Sequence, residues 1–264
     1  MEFASLLDMP ILWPEIRLHP FVLSLLFVVG LCLGSFISLI SYRMVHEMPW
    51  VNVRSQCTSC KKALRARELV PVFSWVRQGG KCSCGATISV RYPIIECISG
   101  LCVILTAWAV PDFWSFLILT GLVLSILTLC VTDFEYYIIP DEIQIAMLLL
   151  GIAYVMHQEL PFDTHLIGLG VGLAVGLGLH FGAKWILKKD GLGFGDVKLL
   201  AIIGLWIGLA PFPVFFFLSG MFGIFTAIGW RLLGLGERFP FGPALAWAML
   251  LIVMVPEVGQ ILQR

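Results

Sequence analysis

Two aspartates, Asp133 and Asp196, lie where an acidic side chain is least expected. Asp133 closes one long apolar run, and Asp196 opens another in the segment Gly193-Phe194-Gly195-Asp196. Ionisable groups at membrane depth are costly and mark functional sites. Two carboxyl groups that share one proton can attack an amide together, one as a base on water and the other as an acid on the carbonyl oxygen. The alternative, that both are helix-end charges facing lipid headgroups, stays open on placement alone.

Glycines at positions 191, 193 and 195 flank the second aspartate. Because glycine has no side chain beyond hydrogen, an extended polypeptide can approach this backbone closely. Carboxyl groups at a membrane boundary can also draw water from the aqueous side. The pattern therefore predicts aspartyl proteolysis beside an apolar helix.

Four of the eight cysteines form a second group of candidate functional residues. Cys57, Cys60, Cys82 and Cys84 lie in the polar, basic segment 43–92, whereas the other four fall in apolar runs. Basic loops face the reducing cytoplasm, which favours metal ligation over disulfides. Four thiolates predict a structural zinc site. Cys82 and Cys84 are only two apart, but residues i and i+2 of an extended segment face the same side and can share one metal. Four unligated thiols are the alternative.

The elements that carry these residues are apolar helices. The 264 residues are 59% hydrophobic and 13% charged, which excludes an ordinary soluble domain. A membrane span needs about 20 apolar residues, and we predict an all-α polytopic membrane protein. Its eight spans lie at about residues 21–42, 93–110, 114–132, 142–156, 165–187, 197–210, 212–230 and 241–256.

The basic residues predict the orientation of these spans. Of the 17 Lys and Arg, 15 lie in the segments 43–92, 184–198 and 231–240, which alternation of the spans puts on one side. Basic loops face the cytoplasm. Both termini should therefore be exterior, and the two aspartates should face the cytoplasm.

The spans define the predicted domains. Residues 1–20 form an exterior segment, which contains Glu2, Asp8 and Glu15 and is not expected to be a cleavable signal peptide. Residues 21–42 form the first span. Residues 43–92 form a small cytoplasmic insert, which needs a metal as a staple because its core is small. Residues 93–264 form the helical bundle that carries the aspartates.

Several motifs together resemble those of bacterial type IV prepilin peptidases, a family of intramembrane aspartyl proteases. They occur in the family's order over almost the whole chain. The motifs are Gly34-Ser35-Phe36, Arg91-Tyr92-Pro93 with Glu96, Asp133 with Pro140-Asp141, Gly193-Phe194-Gly195-Asp196, and Pro240-Phe241-Gly242-Pro243.

The resemblance implies a bifunctional enzyme of the bacterial inner membrane. Its catalytic pair carries over to Asp133 and Asp196, with Asp141 as a rival for the first position. The implied substrate is a type IV prepilin, or a pseudopilin of type II secretion, cut after a glycine that follows a basic leader. The implied second activity is N-methylation of the new N-terminus by S-adenosylmethionine in the cysteine-bearing N-terminal part. We expect the lipid bilayer and the pilin as partners, and no nucleic acid.

Some residues allow more than one interpretation. Glu96 fits a role in methyl transfer, because a carboxylate could hold or deprotonate the incoming amine, yet it could also complement a helix dipole. Ser38 stands where the family commonly has Asn, which bears on methylation rather than cleavage. Glu135 and Glu142 could recruit the basic leader, and Lys198 could favour ionisation of the pair or extend to the interface.

Two other functional classes remain open. A transporter or proton channel could use the aspartates as a relay, although no internal repeat is evident. A non-enzymatic assembly protein of a secretion machine would tolerate Asp→Asn changes at both positions.

Overall fold

The computed structural model describes residues 9–49, 54–57, 59–188, 192–236 and 238–259 of the chain. Glu2, Asp8, Lys189, Gly191 and Arg264 lie outside these residues. The described part contains no strand, only two isolated antiparallel bridges. The predicted all-α class is therefore confirmed. The helices are α1 (Met9–Ile16), α2 (Pro20–Val45), α3 (Phe73–Arg77), α4 (Arg91–Ala109), α5 (Phe113–Tyr136), α6 (Asp141–His157), α7 (Phe162–Gly182), α8 (Phe194–Ile207), α9 (Phe212–Leu232), α10 (Gly242–Met254) and α11 (Pro256–Gly259).

Eight of these helices coincide with the eight predicted spans. Five of them, α2, α4, α5, α7 and α9, are long and apolar enough to cross a membrane. The others are shorter, with 17 residues in α6, 14 in α8 and 13 in α10. A helix of 14 residues is about 21 Å long, less than the hydrocarbon core of about 30 Å. The polytopic membrane class is confirmed, and the count of eight spans stays a prediction.

The chain forms two compact units, Met1–Thr120 and Gly121–Arg264. In the first unit, glycines bring the backbones of α2 and α4 together. A Cβ atom at Gly30 would lie 2.6 Å from the Cα of Gly100, and one at Gly34 would lie 2.6 Å from the Cα of Glu96. Small residues allow such close helix packing in membranes. This packing places the polar residues that follow Gly34 beside the first turns of α4.

Arginines hold both ends of the α2–α4 pair. Arg91 donates to the Ser38 carbonyl oxygen at 3.3 Å and to the Ser41 hydroxyl at 2.8 Å. At the other end, Arg17 donates to the carbonyl oxygens of Ala107 and Trp108, each at 2.6 Å. These carbonyls are at the C-terminus of α4, where a cation complements the helix dipole.

The helix α8 has a fixed position in the second unit because it packs closely on two neighbours. Gly168 and Gly204 bring α7 and α8 into backbone contact, and Gly172 contacts the carbonyl of Leu200 in the same way. From α8, the buried Trp206 donates its indole N–H to the Met147 carbonyl of α6 at 2.9 Å. The first turn of α8, which carries Asp196, is therefore held by packing along the rest of the helix.

Candidate active site and metal centre

The Asp133 side chain lies in the last turn of α5, which runs to Tyr136 and so extends beyond the predicted span end at 132. The residue is only 6% exposed. Its Oδ2 atom accepts a hydrogen bond of 3.0 Å from the backbone N–H of Gly242, the first residue of α10. A Cβ atom at Gly242 would lie 2.7 Å from that oxygen. The absence of a side chain at Gly242 therefore allows the carboxyl group to reach the start of α10.

The Asp196 side chain lies in the first turn of α8 and is half-buried. It accepts a hydrogen bond from the backbone N–H of Gly193, as the third residue of a helix does in a capping box. Its Oδ1 atom is buried and has no partner among the described residues. Buried polar atoms are normally satisfied. One oxygen of this carboxyl group is thus available to a substrate or to water.

The two carboxyl groups line one cavity of about 260 Å³ at the end of the second unit's helices. They are close enough for their charges to interact. Ile139 is among the lining residues, and Cβ atoms added at Gly195 and Gly242 would lie 3.3 Å and 2.9 Å from its side chain. The structure thus brings together the two aspartates that are 63 positions apart. Their catalytic role stays a prediction.

Asp141, the rival of Asp133, also lines the cavity but has a different environment. Its side chain is 64% exposed, and its Oδ1 atom lies 2.7 Å from Nζ of Lys198. The Lys198 ammonium also lies 5.8 Å from the ring centroid of Phe194. Lys198 therefore forms its ion pair with Asp141, the exposed carboxylate at the mouth. The exposed Glu142 is next to Asp141 at the start of α6.

The four cysteines of the insert converge on one point. Their sulfur atoms all lie within 4.8 Å of one another, and those of Cys57 and Cys84 are 4.0 Å apart. In a tetrahedral site with Zn–S bonds of about 2.3 Å, sulfur atoms lie about 3.8 Å apart. The donor set and its spacing therefore fit a four-coordinate metal ion.

Each cysteine pair lies on a turn beside one of the two isolated bridges. The N–H of Lys61 donates to the Cys57 carbonyl at 2.9 Å, and the N–H of Gly85 donates to the Cys82 carbonyl at 2.8 Å. Gly85 adopts a φ of 86°, which suits glycine. Cys82 and Cys84 were expected to converge from an extended segment. The expected backbone geometry was wrong, because a tight turn, and not an extended segment, brings the two cysteines together.

The backbone also sets the electrostatics of the cysteine cluster. The N–H groups of Cys60 and Ser59 donate to the Cys57 sulfur and lower its pKa to about 6. The Ala86 N–H acts in the same direction on Cys84, but the neighbouring thiols of Cys82 and Cys60 outweigh it and raise the pKa of Cys84 to about 11. Without a cation, the four thiols therefore do not all ionise at neutral pH.

Glu96 is buried in the second turn of α4, with 6% of its surface exposed. Its Oε2 atom accepts the N–H of Val72 at 2.7 Å, and the Ser35 hydroxyl of α2 also bonds to it. Both partners lie outside α4. Glu96 therefore connects α2, α4 and the insert. A residue that only compensated the dipole of α4 would not need these two contacts.

Comparison with known proteins assigns the chain to a family. Residues 28–110 match the bacterial peptidase A24 N-terminal domain, and residues 119–228 match the type IV leader peptidase family. The prepilin leader peptidase/N-methyltransferase of Neisseria gonorrhoeae is 31% identical over 256 residues, which cover 86% of this chain and 88% of the relative. The protein of the same name from Pseudomonas putida is 32% identical, with 90% and 92% covered. No solved structure matches the chain.

The chain belongs to the type IV leader peptidase family. Asp133 and Asp196 fall within the 119–228 match, and Glu96 and the four cysteines fall within the 28–110 match. The resemblance inferred from the motifs is thus confirmed. Each candidate site lies in one of the two compact units.

Sequence reasoning missed two features of this leader peptidase's aspartate cavity. The first is the hydrogen bond from Gly242, a residue that was noted only as part of a motif. The second is Tyr137, which lines the cavity with a φ of 58° and donates its hydroxyl to the Arg238 carbonyl at 3.2 Å. A non-glycine residue in this conformation is uncommon. Its signal in the sequence is weak, because only the nearby Pro140 indicates that α5 must end.

Proposed function

We propose that this protein removes the leader peptide from type IV prepilins, or from pseudopilins of type II secretion, by aspartyl catalysis at Asp133 and Asp196. The observation that carries the proposal is the single cavity lined by both carboxyl groups. Relatives that cover most of the chain carry the name prepilin leader peptidase/N-methyltransferase. The family assignment and the paired acids support the same reaction.

The two carboxyl groups hold one proton between them in the reactive state. The ionised partner takes a proton from a water molecule as that water attacks the scissile carbonyl carbon, and the protonated partner donates to the carbonyl oxygen. Proton transfer to the leaving nitrogen then releases the amine and restores the pair. The proton belongs to the dyad rather than to either residue. The Gly242 and Gly193 N–H groups fix the two carboxyl groups for this exchange.

The mouth of the cavity suits a substrate with a basic leader and a helical apolar segment. Asp141 lines the cavity, and the exposed Glu135 and Glu142 lie within two residues of lining residues in the sequence. Their charges attract a basic leader, and complementary charge accelerates encounter. Gly193 and Gly195 permit close approach of an extended backbone at the glycine that precedes the cleaved bond.

The same proposal places the aspartate cavity on the cytoplasmic side of the bacterial inner membrane, with both termini outside. It is supported by the 15 of 17 basic residues in the three segments assigned to that side. The cavity is lined by residues from the end of α5 and from the starts of α6 and α8. The start of α8 lies in the basic segment 184–198.

We assign a structural zinc ion to Cys57, Cys60, Cys82 and Cys84. The sulfur spacing supports this assignment, and zinc with four thiolates is a closed structural centre. When bound, the ion supplies a rigid cross-link to an insert with few buried apolar residues.

The proposed second activity is N-methylation of the new N-terminal amine in the first unit. S-adenosylmethionine supplies the methyl group as a sulfonium. The match of residues 28–110 and the names of the relatives support this activity.

One assay tests both activities. The purified protein is incubated with a prepilin and S-adenosylmethionine, and the product's N-terminus is identified by mass. We expect Asp133→Asn and Asp196→Asn to lower leader removal by about 100-fold or more, because each removes an acid–base group. Asp163→Asn is the control, since this exposed aspartate lies in the first turn of α7, away from the cavity. Normal cleavage by either dyad variant, correctly folded, would favour the assembly-protein or transporter alternative.

A further inference from the structure

A second cavity lies in the first unit, between α2, α4 and the insert. Its volume is about 370 Å³, within the range of about 300–1,000 Å³ typical of small-molecule sites. The lining includes the aromatic residues Trp75 and Tyr92 and the polar residues Ser38 and Glu96. It shares no residue with the aspartate cavity. The first unit thus contains a cavity of a size that suits a small molecule, and this cavity is separate from the two aspartates.

Ser38 carries the first indication of a ligand. The residue is 2% exposed, and its hydroxyl has no hydrogen-bond partner in the described part of the chain. Its carbonyl oxygen, in contrast, accepts from Arg91. Buried hydroxyl groups are rarely left unsatisfied in native proteins. A bound polar molecule would supply the missing partner.

Glu96 carries the second indication. The carboxylate has two neutral donors, Val72 and Ser35, but no cationic side chain pairs with it among the described residues. A buried carboxylate is costly without an opposite charge. A cationic ligand in the cavity would therefore be favoured beside Glu96.

The backbone of Val72 shows that the contact with Glu96 is enforced. Val72 has a φ of 58° and a ψ of −54°, an outlying conformation for a β-branched residue. Strained backbone persists where its surroundings fix it, and it clusters at functional sites. The N–H of Val72 donates a hydrogen bond of 2.7 Å to the Glu96 Oε2 atom. The position of this oxygen is therefore fixed by the strained backbone.

We propose that this cavity is the methyl-transfer site, where Ser38 contacts S-adenosylmethionine and Glu96 binds the α-ammonium of the cleaved pilin. The proposal rests on the second activity proposed above and gives it a location.

The step balances with residues of this chain. Glu96 takes one proton from the α-ammonium and leaves a neutral amine. The amine nitrogen attacks the methyl carbon, a carbon–nitrogen bond forms, and the carbon–sulfur bond breaks with its electron pair left on sulfur. The products are a methylated ammonium and a neutral thioether, with the proton on Glu96 returned to water.

The cysteine cluster contributes to the same cavity. Cys57 and Cys82 are among the lining residues, so a metal held by the four thiols would fix one wall. This gives the cluster a role in ligand binding as well as in the stability of the insert.

The test uses the full chain in detergent, with S-adenosylhomocysteine binding measured by calorimetry. Prepilin cleavage and methylation are measured in parallel by mass. We expect Ser38→Ala to weaken binding by about three- to tenfold, the effect of one lost hydrogen bond. We expect Glu96→Gln to leave binding within about twofold but to lower methylation by about 100-fold, because it removes the base. Both variants should cleave the leader at the wild-type rate.

Ser99→Ala is the matched control. Its hydroxyl is also buried and unpartnered in the described structure, yet Ser99 is not among the lining residues. Equal loss of binding in Ser38→Ala and Ser99→Ala, or normal methylation by Glu96→Gln, would overturn the assignment of this cavity. If the wild type cleaves but neither binds nor methylates, the second activity itself fails. If the wild type does not cleave, the proposed peptidase function fails.

Discussion

At the scale of single residues, the position of Asp133 depends on a glycine 109 residues away in the sequence. The Gly242 N–H donates to the carboxyl group at 3.0 Å, at the start of a helix whose dipole favours negative charge there. A side chain at this position would overlap both Asp133 and Ile139. Gly242 thus provides a hydrogen bond and the space for the carboxyl group.

Gly242→Ala tests this role. The new methyl group would lie 2.7 Å from Asp133 Oδ2 and 2.9 Å from Ile139 Cδ1, so the carboxyl group must move. A displacement of about 1 Å in an active site can lower the rate by about 100-fold. We expect a loss of this size in the turnover number for leader cleavage. Gly220→Ala in α9 is the control, because its added Cβ has no atom within 4 Å; equal rates in both variants would contradict the role of Gly242.

Asp141→Asn distinguishes the two candidates for the first catalytic position. Asp141 is exposed and paired with an exposed lysine, and such pairs contribute only about 0–1 kcal/mol. We expect its turnover number to stay within about fivefold of wild type, since 1 kcal/mol corresponds to about that factor. Asp133→Asn should lose about 100-fold or more. Initial rates at saturating prepilin measure both turnover numbers. A larger loss in Asp141→Asn than in Asp133→Asn would move the catalytic role to Asp141.

Sequence reasoning identified these acids because a charge inside or beside an apolar run stands out. It could not identify the Gly242 N–H as a donor, because any backbone offers one and only the tertiary fold aims it. The cysteine cluster shows a related limit. Its four residues were evident from their type and spacing, but the turn at Gly85 that joins Cys82 and Cys84 depends on local backbone geometry.

At the scale of elements, hydropathy predicted the long apolar helices, but it did not predict several of their boundaries. The helix α5 continues past Asp133 to Tyr136, because Tyr137 in a left-handed conformation ends it and donates its N–H to the Asp133 carbonyl. The helix α1 was not predicted. Its Trp13 is buried and stacks on Phe116 at 4.4 Å, a tertiary contact that a short segment's sequence does not reveal.

The packing of α7 on α8 gives a prediction at this scale. A Cβ at Gly172 would overlap the Leu200 carbonyl of α8, whereas one at Gly170 has nothing within 4 Å. We expect Gly172→Ala to destabilise the protein by about 1–3 kcal/mol through overpacking and to lower cleavage by displacing Asp196. Gly170→Ala on the same helix is the matched control. Thermal unfolding in detergent and the cleavage rate measure the two effects, and equal behaviour of the two variants would show that α8 is not held by this contact.

At the scale of the whole molecule, the two chemistries that we propose lie in different compact units of the chain. The aspartate cavity consists of residues from 133 to 198, and the cysteine-lined cavity consists of residues from 35 to 96. The two family models also match on either side of the boundary near residue 120, at residues 28–110 and 119–228. Loss of one activity should therefore be separable from loss of the other.

Metal removal tests this separation. The four sulfur atoms lie within 4.8 Å of one another, and two of the cysteines line the cavity that we propose for methyl transfer. The purified protein should contain about one zinc ion per chain, the content of a four-thiolate site, and Cys57→Ser should lower that content. Cys32→Ser, which changes an exposed cysteine of α2 outside the cluster, is the control.

We expect the loss of metal to lower methylation and S-adenosylhomocysteine binding and to leave leader cleavage unchanged, because Asp133 and Asp196 keep their own contacts. Full zinc content in Cys57→Ser would contradict the assignment of the metal to the four cysteines. Parallel loss of both activities would contradict their separation.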